Sequence, residues 1–203
     1  MTVNHQNTVI IIIVTLLLTC NYSSFVRATI DNQLIGRVCG SSKYPTVCEN
    51  CVNYMGRTTD IKKDVDVTIA MVQCADGVVS DLMVVTRELV LHQQDSQVIS
   101  RLYGCVTNFI NARVKGDNIL VDLNNGSLPN ASGPKIPAVV IGDEDQSGIG
   151  PAFNVYTELA NCVRDFKGFT MPPIMVTGIQ NLRNHYHIIL DLLCAPKGCA
   201  NPF

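Results

Sequence analysis

The chain has 203 residues with 15 Lys and Arg against 17 Asp and Glu, a formal charge of −2, no Trp and nine Cys. So even a balance, with no basic cluster, excludes a nucleic-acid surface. No block of like charges marks an acidic or basic tail.

Residues 9–18, VIIIIVTLLL, are apolar apart from Thr15. A bilayer-spanning helix needs about 20 apolar residues. A run this short suits the central region of a secretory signal, and Val26-Arg27-Ala28 supplies a cleavage site. The segment before it carries His5 but no Lys or Arg. We therefore expect a signal peptide over residues 1–28 and a mature domain over 29–203. Loss of Arg27 takes the charge from −2 to −3. No later stretch reaches 18 consecutive apolar residues, so no membrane association is expected after cleavage. The mature length suits one domain with one core.

Two short helical segments come next, around Asp31–Gly40 and Pro45–Met55, joined by Ser41-Ser42-Lys43. They predict a small helical hairpin whose arms Cys39 and Cys48 could clasp. Four longer segments follow with apolar residues at steps of three and four, the signature of one buried helix face. The first runs from Val65 to Leu89. The second carries Val98, Leu102, Cys105, Phe109 and Ala112, with Ser96 as the expected N-cap and Gly116 as the expected stop. The third starts with Pro151 in its first turn and continues through Val155, Leu159, Cys162 and Phe166. The fourth follows Pro172 and Pro173 and runs from Met175 to Leu193. These elements predict an all-α fold, an antiparallel four-helix bundle preceded by the hairpin and braced by disulfides. Residues 124–150, rich in Gly and Pro, read as a surface insertion, and 194–203 as a C-terminal tail.

Cleavage removes Cys20 and leaves eight cysteines, an even number that in an exported chain reads as a disulfide framework with 105 formal pairings. The stretch Cys48-Glu-Asn-Cys51 has no βαβ context for a redox motif and no second ligand pair at zinc spacing. His185 and His187, two residues apart, are expected on different sides of a helix, at the surface. No metal site or cofactor is therefore expected. Cys105 and Cys162 fall on core-facing positions and suit a bridge between the second and third long helices. Cys194 and Cys199 flank a short loop that a bridge between them would close, but geometry assigns no pairing among Cys51, Cys74, Cys194 and Cys199. Asn125 and Asn130 begin glycosylation sequons. Asp143, Asp145, Ser147 and Gly148 match the start of an EF-hand loop, but Asn154 stands where its bidentate Glu belongs and no helix leads in. There is no nucleophile elbow, zincin motif or phosphate loop, so no catalytic residue is nominated and a non-enzymatic role is favoured.

The order of these features resembles the plant invertase and pectin methylesterase inhibitor family. Cys39 and Cys48, with Tyr44-Pro45 between them, are similar to its opening cysteine pair. LYGCVTNFINA at 102–112, NCVRDFKG at 161–168 and NLRNHYHIILDLL at 181–193 resemble its later helices, with Phe109 where Tyr is usual. The resemblance implies the bridges Cys39–Cys48 and Cys105–Cys162. It also implies a secreted inhibitor that docks one-to-one over the substrate cleft of a cell-wall pectin methylesterase, or alternatively of an acid invertase. The implied location is the apoplast, or the vacuole for a vacuolar invertase. Lys115-Gly116-Asp117 matches the start of an invertase-inhibitor motif, but Asn118-Ile119-Leu120 follows in place of its Pro-Lys-Phe. Lys115 to Leu120 is the expected target contact. A reading of another class is a secreted helical protein with an interaction or calcium-responsive role and no inhibitory one.

Overall fold

A computed structural model describes residues 31–56, 60–126 and 149–195. Six helices account for most of them: α1 Asn32–Cys39, α2 Pro45–Met55, α3 Asp64–His92, α4 Ser96–Asn124, α5 Ile149–Asp165 and α6 Pro173–Cys194. No β-strand occurs among the described residues. The all-α bundle with its N-terminal hairpin is the architecture the apolar periods imply.

Local chemistry sets the helix ends. Asp31 caps α1, its Oδ1 accepting from the backbone N–H of Gln33 at 3.0 Å and Leu34 at 3.1 Å. At the other end of α1 the hydroxyls of Ser41 and Ser42 donate to the carbonyls of Val38 and Cys39. This occupies acceptors that the end of a helix leaves open. The carboxylate of Asp66, in the first turn of α3, accepts from the N–H of Lys62 and Lys63. The cap of α4 is Asp95 rather than the expected Ser96: its Oδ1 accepts from Gln97 N at 2.8 Å and Val98 N at 3.4 Å. Ser96 becomes the first helical residue. Pro45 and Pro173 open α2 and α6, where a missing N–H costs nothing.

The four long helices pack as a closed ring, α3 on α4, α4 on α5, α5 on α6 and α6 back on α3. Neighbours run antiparallel. Along the α4–α5 seam Asn111 pairs with Glu158 and Asn108 with Asp165. Along α3–α6, Leu82 meets Gly178 while Cys74 meets His185. The core is apolar and closed, with Met71, Phe109, Leu159, Met175, Ile188 and Ile189 all at most 1% exposed. The α1–α2 hairpin packs on α3, and α2 also touches α6. The turn before α2 is fastened to α6 by Lys43 N–H, which donates to Asp191 Oδ2 at 3.0 Å.

By length and composition α3 would qualify as a membrane span, with a mean hydropathy of 1.5 over its most apolar window. In the fold its apolar face is spent on α2, α4 and α6 instead. α4 continues through Asn124 and α5 begins at Ile149, and residues 127–148 lie outside the described residues. The C-terminal tail starts later than expected, since Cys194 is the last residue of α6.

Two glycines test the packing. A methyl group at Gly178 would collide with the Leu82 side chain, whose Cγ would stand 3.2 Å away. A methyl at Gly77, exposed on α3, would meet nothing within 4 Å. Alanine gains up to ~1 kcal/mol over glycine inside a helix, whereas overpacking a core costs about 1–3 kcal/mol. Thermal unfolding should therefore show Gly77→Ala raising Tm and Gly178→Ala lowering it.

Candidate protein-docking surface

One side of α4 is buried against α3 and α5 through Leu102, Cys105, Phe109, Ala112, Ile119 and Leu123. On its other side Tyr103, Ile110, Val114 and Val121 are 57%, 42%, 51% and 56% exposed. They step by seven, four and seven, so they share one face. At 1.5 Å per residue that face is about 27 Å long. Thr107, Asp117 and Asn118 are exposed between them. A single exposed apolar side chain is ordinary, and Leu91 is one. A row of four on one rigid helix is a surface suited to covering by another molecule.

The residues expected to touch a target fall inside this helix. Lys115 to Leu120 do not follow α4 as a loop, and Gly116 does not end it. The physical reason is that Ile119 and Leu123 prolong the buried period beyond Gly116. Gly116 is small for a tertiary reason: a methyl there would stand 2.9 Å from Tyr186 Oη. Asp117 and Asn118 are exposed, Lys115 and Leu120 half-buried, and Gly116 and Ile119 buried. Only Asp117 and Asn118 therefore present themselves fully, between Val114 and Val121 on the exposed face.

Asp117 shares its neighbourhood with a second acid, Asp76, and one cation, Arg113. Arg113 Nε is 3.1 Å from Asp76 Oδ1, across the α3–α4 seam. Its N–H is not aimed at the oxygen, and Asp76 Oδ1 has no hydrogen bond. Burial pushes the Asp76 carboxyl above its ordinary pKa; Arg113 opposes the shift and the Asp117 charge adds to it. Burial also raises the Tyr186 phenol, and the charges of Asp76 and Asp117 add to that.

The sulfurs fall into definite pairs. Cys39–Cys48 joins α1 to α2 and Cys105–Cys162 joins α4 to α5, with Cα–Cα distances of 5.5 and 4.6 Å. Cys51 and Cys74, left unassigned by the sequence, form a third bridge between α2 and α3. Cys194 is disulfide-bonded, and Cys199 lies outside the described residues. His185 and His187 were expected at the surface and are instead 5% and 7% exposed. The stretch from His185 to Leu190, more than a full turn of α6, is buried without interruption, because the hairpin covers the side of α6 that a bare bundle would leave wet. The HIIL run was the available signal. His187 is satisfied by Asp191 at 3.4 Å and Lys43 Nζ at 3.4 Å, with Tyr44 edge-on at 5.5 Å. His185 lies with Cys51 and Cys74, their donor atoms all within 4.8 Å of one another. That grouping could not be read from a spacing of 23 and 111 residues. Asn125 is the exposed C-cap of α4, whereas Asn130 and the EF-like Asp143, Asp145, Ser147 and Gly148 lie outside the described residues.

No protein-family model and no curated protein matches this sequence. Its fold does match solved structures. A pectin methylesterase inhibitor from Arabidopsis thaliana superposes with a TM-score of 0.54 at 11% identity, over 82% of this chain and 97% of the inhibitor. A mutant form of a pectin methylesterase inhibitor from Arabidopsis superposes with a TM-score of 0.58 at 10% identity, over 79% and 95%. This chain therefore has the fold of these plant inhibitors.

Asp76 ties the acidity of the medium to stability. Its folded pKa lies above the unfolded value, about 3.9. The folded state thus holds the proton more tightly, and this site's contribution falls as pH rises from about 3.9 through the raised folded value. Urea unfolding at pH steps across this window should show Asp76→Asn gaining on the parent chain as pH increases. A difference between the two that stays constant with pH would refute the assignment.

Proposed function

We propose that this protein is a secreted proteinaceous inhibitor that docks on a pectin methylesterase and occludes its active-site cleft. The observation that carries this reading is the fold match over nearly the whole length of two pectin methylesterase inhibitors. The bridges Cys39–Cys48 and Cys105–Cys162 support it, being the pairs the sequence resemblance implied. The mechanism is steric. A rigid helix bundle covers the cleft and keeps the polymer out, burying on the order of 1,600 Å². Such a task needs no cofactor and no catalytic residue on this chain. A disulfide-braced scaffold loses little conformational entropy on docking.

In this reading the exposed face of α4 supplies the contact. Tyr103 is the anchor, since tyrosine combines large area with few rotatable bonds. Val114, Asp117, Asn118 and Val121 extend it along the helix. The complex is one-to-one, and its location is the apoplast, which a signal over residues 1–28 and oxidised cysteines both suit. One observation favours acid invertase as the target instead: Lys115-Gly116-Asp117, whose Asp117 is exposed on this same face.

The deciding assay adds purified exported chain to a pectin methylesterase and, separately, to an acid invertase, at pH from about 4 to 7, where carboxylates change charge. Slowing of the methylesterase at one equivalent is the expected result. Slowing of invertase alone reverses the assignment. If neither enzyme slows at any pH, the chain is an interaction protein of another kind. Tyr103→Ala should weaken the complex at least about fivefold, or ~1 kcal/mol. Tm should stay unchanged, because the side chain is 57% exposed.

A further inference from the structure

We propose that Cys51, Cys74 and His185, once the Cys51–Cys74 bridge is reduced, form a binding site for one Zn²⁺ ion. Their donor atoms already lie within 4.8 Å of one another, contributed by α2, α3 and α6. Cys74 Sγ is 3.8 Å from His185 Nε2. Ligands sharing a tetrahedral zinc with bonds of about 2.0–2.3 Å stand about 3.5–3.8 Å apart. The pair thus needs little movement. Opening the sulfur–sulfur bond requires only that Cys51 Sγ swing away by a side-chain rotation.

The imidazole is already in the form a metal requires. His185 Nδ1 is 2.8 Å from the carbonyl of Asn181, which can only accept. The proton therefore sits on Nδ1 and the lone pair on Nε2, facing the sulfur. A backbone carbonyl holding the distal nitrogen is the usual supporting contact of a zinc-bound histidine. Burial also lowers the His185 pKa from its ordinary value, in the direction that favours the neutral ring. Cys51 and His185 are each 5% exposed and Cys74 is half-buried, which leaves a route in from solvent.

The chemistry balances as follows. An external dithiol gives two electrons to the Sγ–Sγ bond, which breaks. The dithiol leaves as its own disulfide, and its two protons pass to Cys51 and Cys74. Zn²⁺ then displaces both thiol protons to water, accepts two thiolates and the Nε2 lone pair, and keeps a water in its fourth position. Two thiolates cancel the charge of the ion, so the centre is neutral, as a mostly buried site demands. Two sulfurs and one nitrogen are donors that zinc favours and that calcium and magnesium do not. The site and the disulfide are alternative occupants of the same sulfurs, so zinc affinity reports redox state.

This inference stands independently of any target enzyme, and its test uses no inhibition readout. The full chain is prepared oxidised and dithiol-reduced, freed of reductant, and titrated with Zn²⁺ against a chromophoric chelator. Co²⁺ serves as a parallel visible probe of thiolate ligation. Free thiols are counted by mass spectrometry and helicity is followed by circular dichroism. The reduced chain should take one zinc and the oxidised chain none. His185→Ala should weaken binding at least about tenfold, the scale on which even supporting residues of zinc sites act. Cys39→Ser with Cys48→Ser should leave binding intact. Where reduction costs helicity, zinc should restore it in the parent and not in His185→Ala. A reduced chain that takes no zinc, or a His185→Ala chain that binds or refolds equally well, would overturn the proposal.

Discussion

The Cys105–Cys162 bridge fixes where α4 crosses α5, and the orientation of α4 decides which of its side chains meet water. With Cys105, Phe109 and Ala112 turned into the core, Tyr103, Ile110 and Val114 have no alternative but solvent. In the chain-entropy picture, closing a loop of 57 residues restrains the unfolded chain by about 4 kcal/mol. Much covalent stabilisation of the bundle is thus placed at one seam. A surface held this firmly is suited to shape recognition, where rigidity before contact preserves affinity.

The long-range electrostatics of the described residues are sparse. The Arg37–Asp64 pair has two short contacts, at 2.6 and 3.1 Å, but both side chains are about 60% exposed and solvent screens them. Polar groups near the core do more specific work. Tyr156 donates to the carbonyl of Arg183 at 2.9 Å between α5 and α6. His187 and Asp191 anchor the hairpin turn onto α6. Asp76 sits uncomfortably half-covered beneath the face of α4, where its charge is least welcome.

The sequence reads most clearly where a single physical period dominates. Leu102, Cys105, Phe109 and Ala112 announced α4, and Met175 through Leu193 announced α6, because burial of one face imposes steps of three and four. It reads poorly where a residue answers to a distant neighbour. Gly116 looked like a stop because glycine usually ends helices; its smallness serves Tyr186, 70 positions away in the chain. Ser96 and Asp95 are both good caps, and only the entering backbone chooses between them. His185 and His187 looked like surface residues because a bare bundle would expose them, and the hairpin covers that side. Cys51 and Cys74 lay one turn past an obvious clasp and midway along a helix, and nothing local joins such positions. The exposed stripe of α4 was present in the sequence as four apolar residues out of phase with the core, but phase acquires a direction only once the core is known.

The three bridges between described helices also determine what a cut in the backbone would do. Cys39–Cys48 spans the turn from α1 to α2, Cys51–Cys74 spans the link from α2 to α3, and Cys105–Cys162 spans the long link from α4 to α5. A protease that clips any of these three connections releases no fragment, because the severed ends remain joined through sulfur. The two connections that no described bridge encloses, α3 to α4 at residues 93–95 and α5 to α6 at 166–172, are both shorter than the α4–α5 link. Covalent insurance is placed on the link with the most chain to lose, so a nicked molecule would travel as one piece until its disulfides were opened.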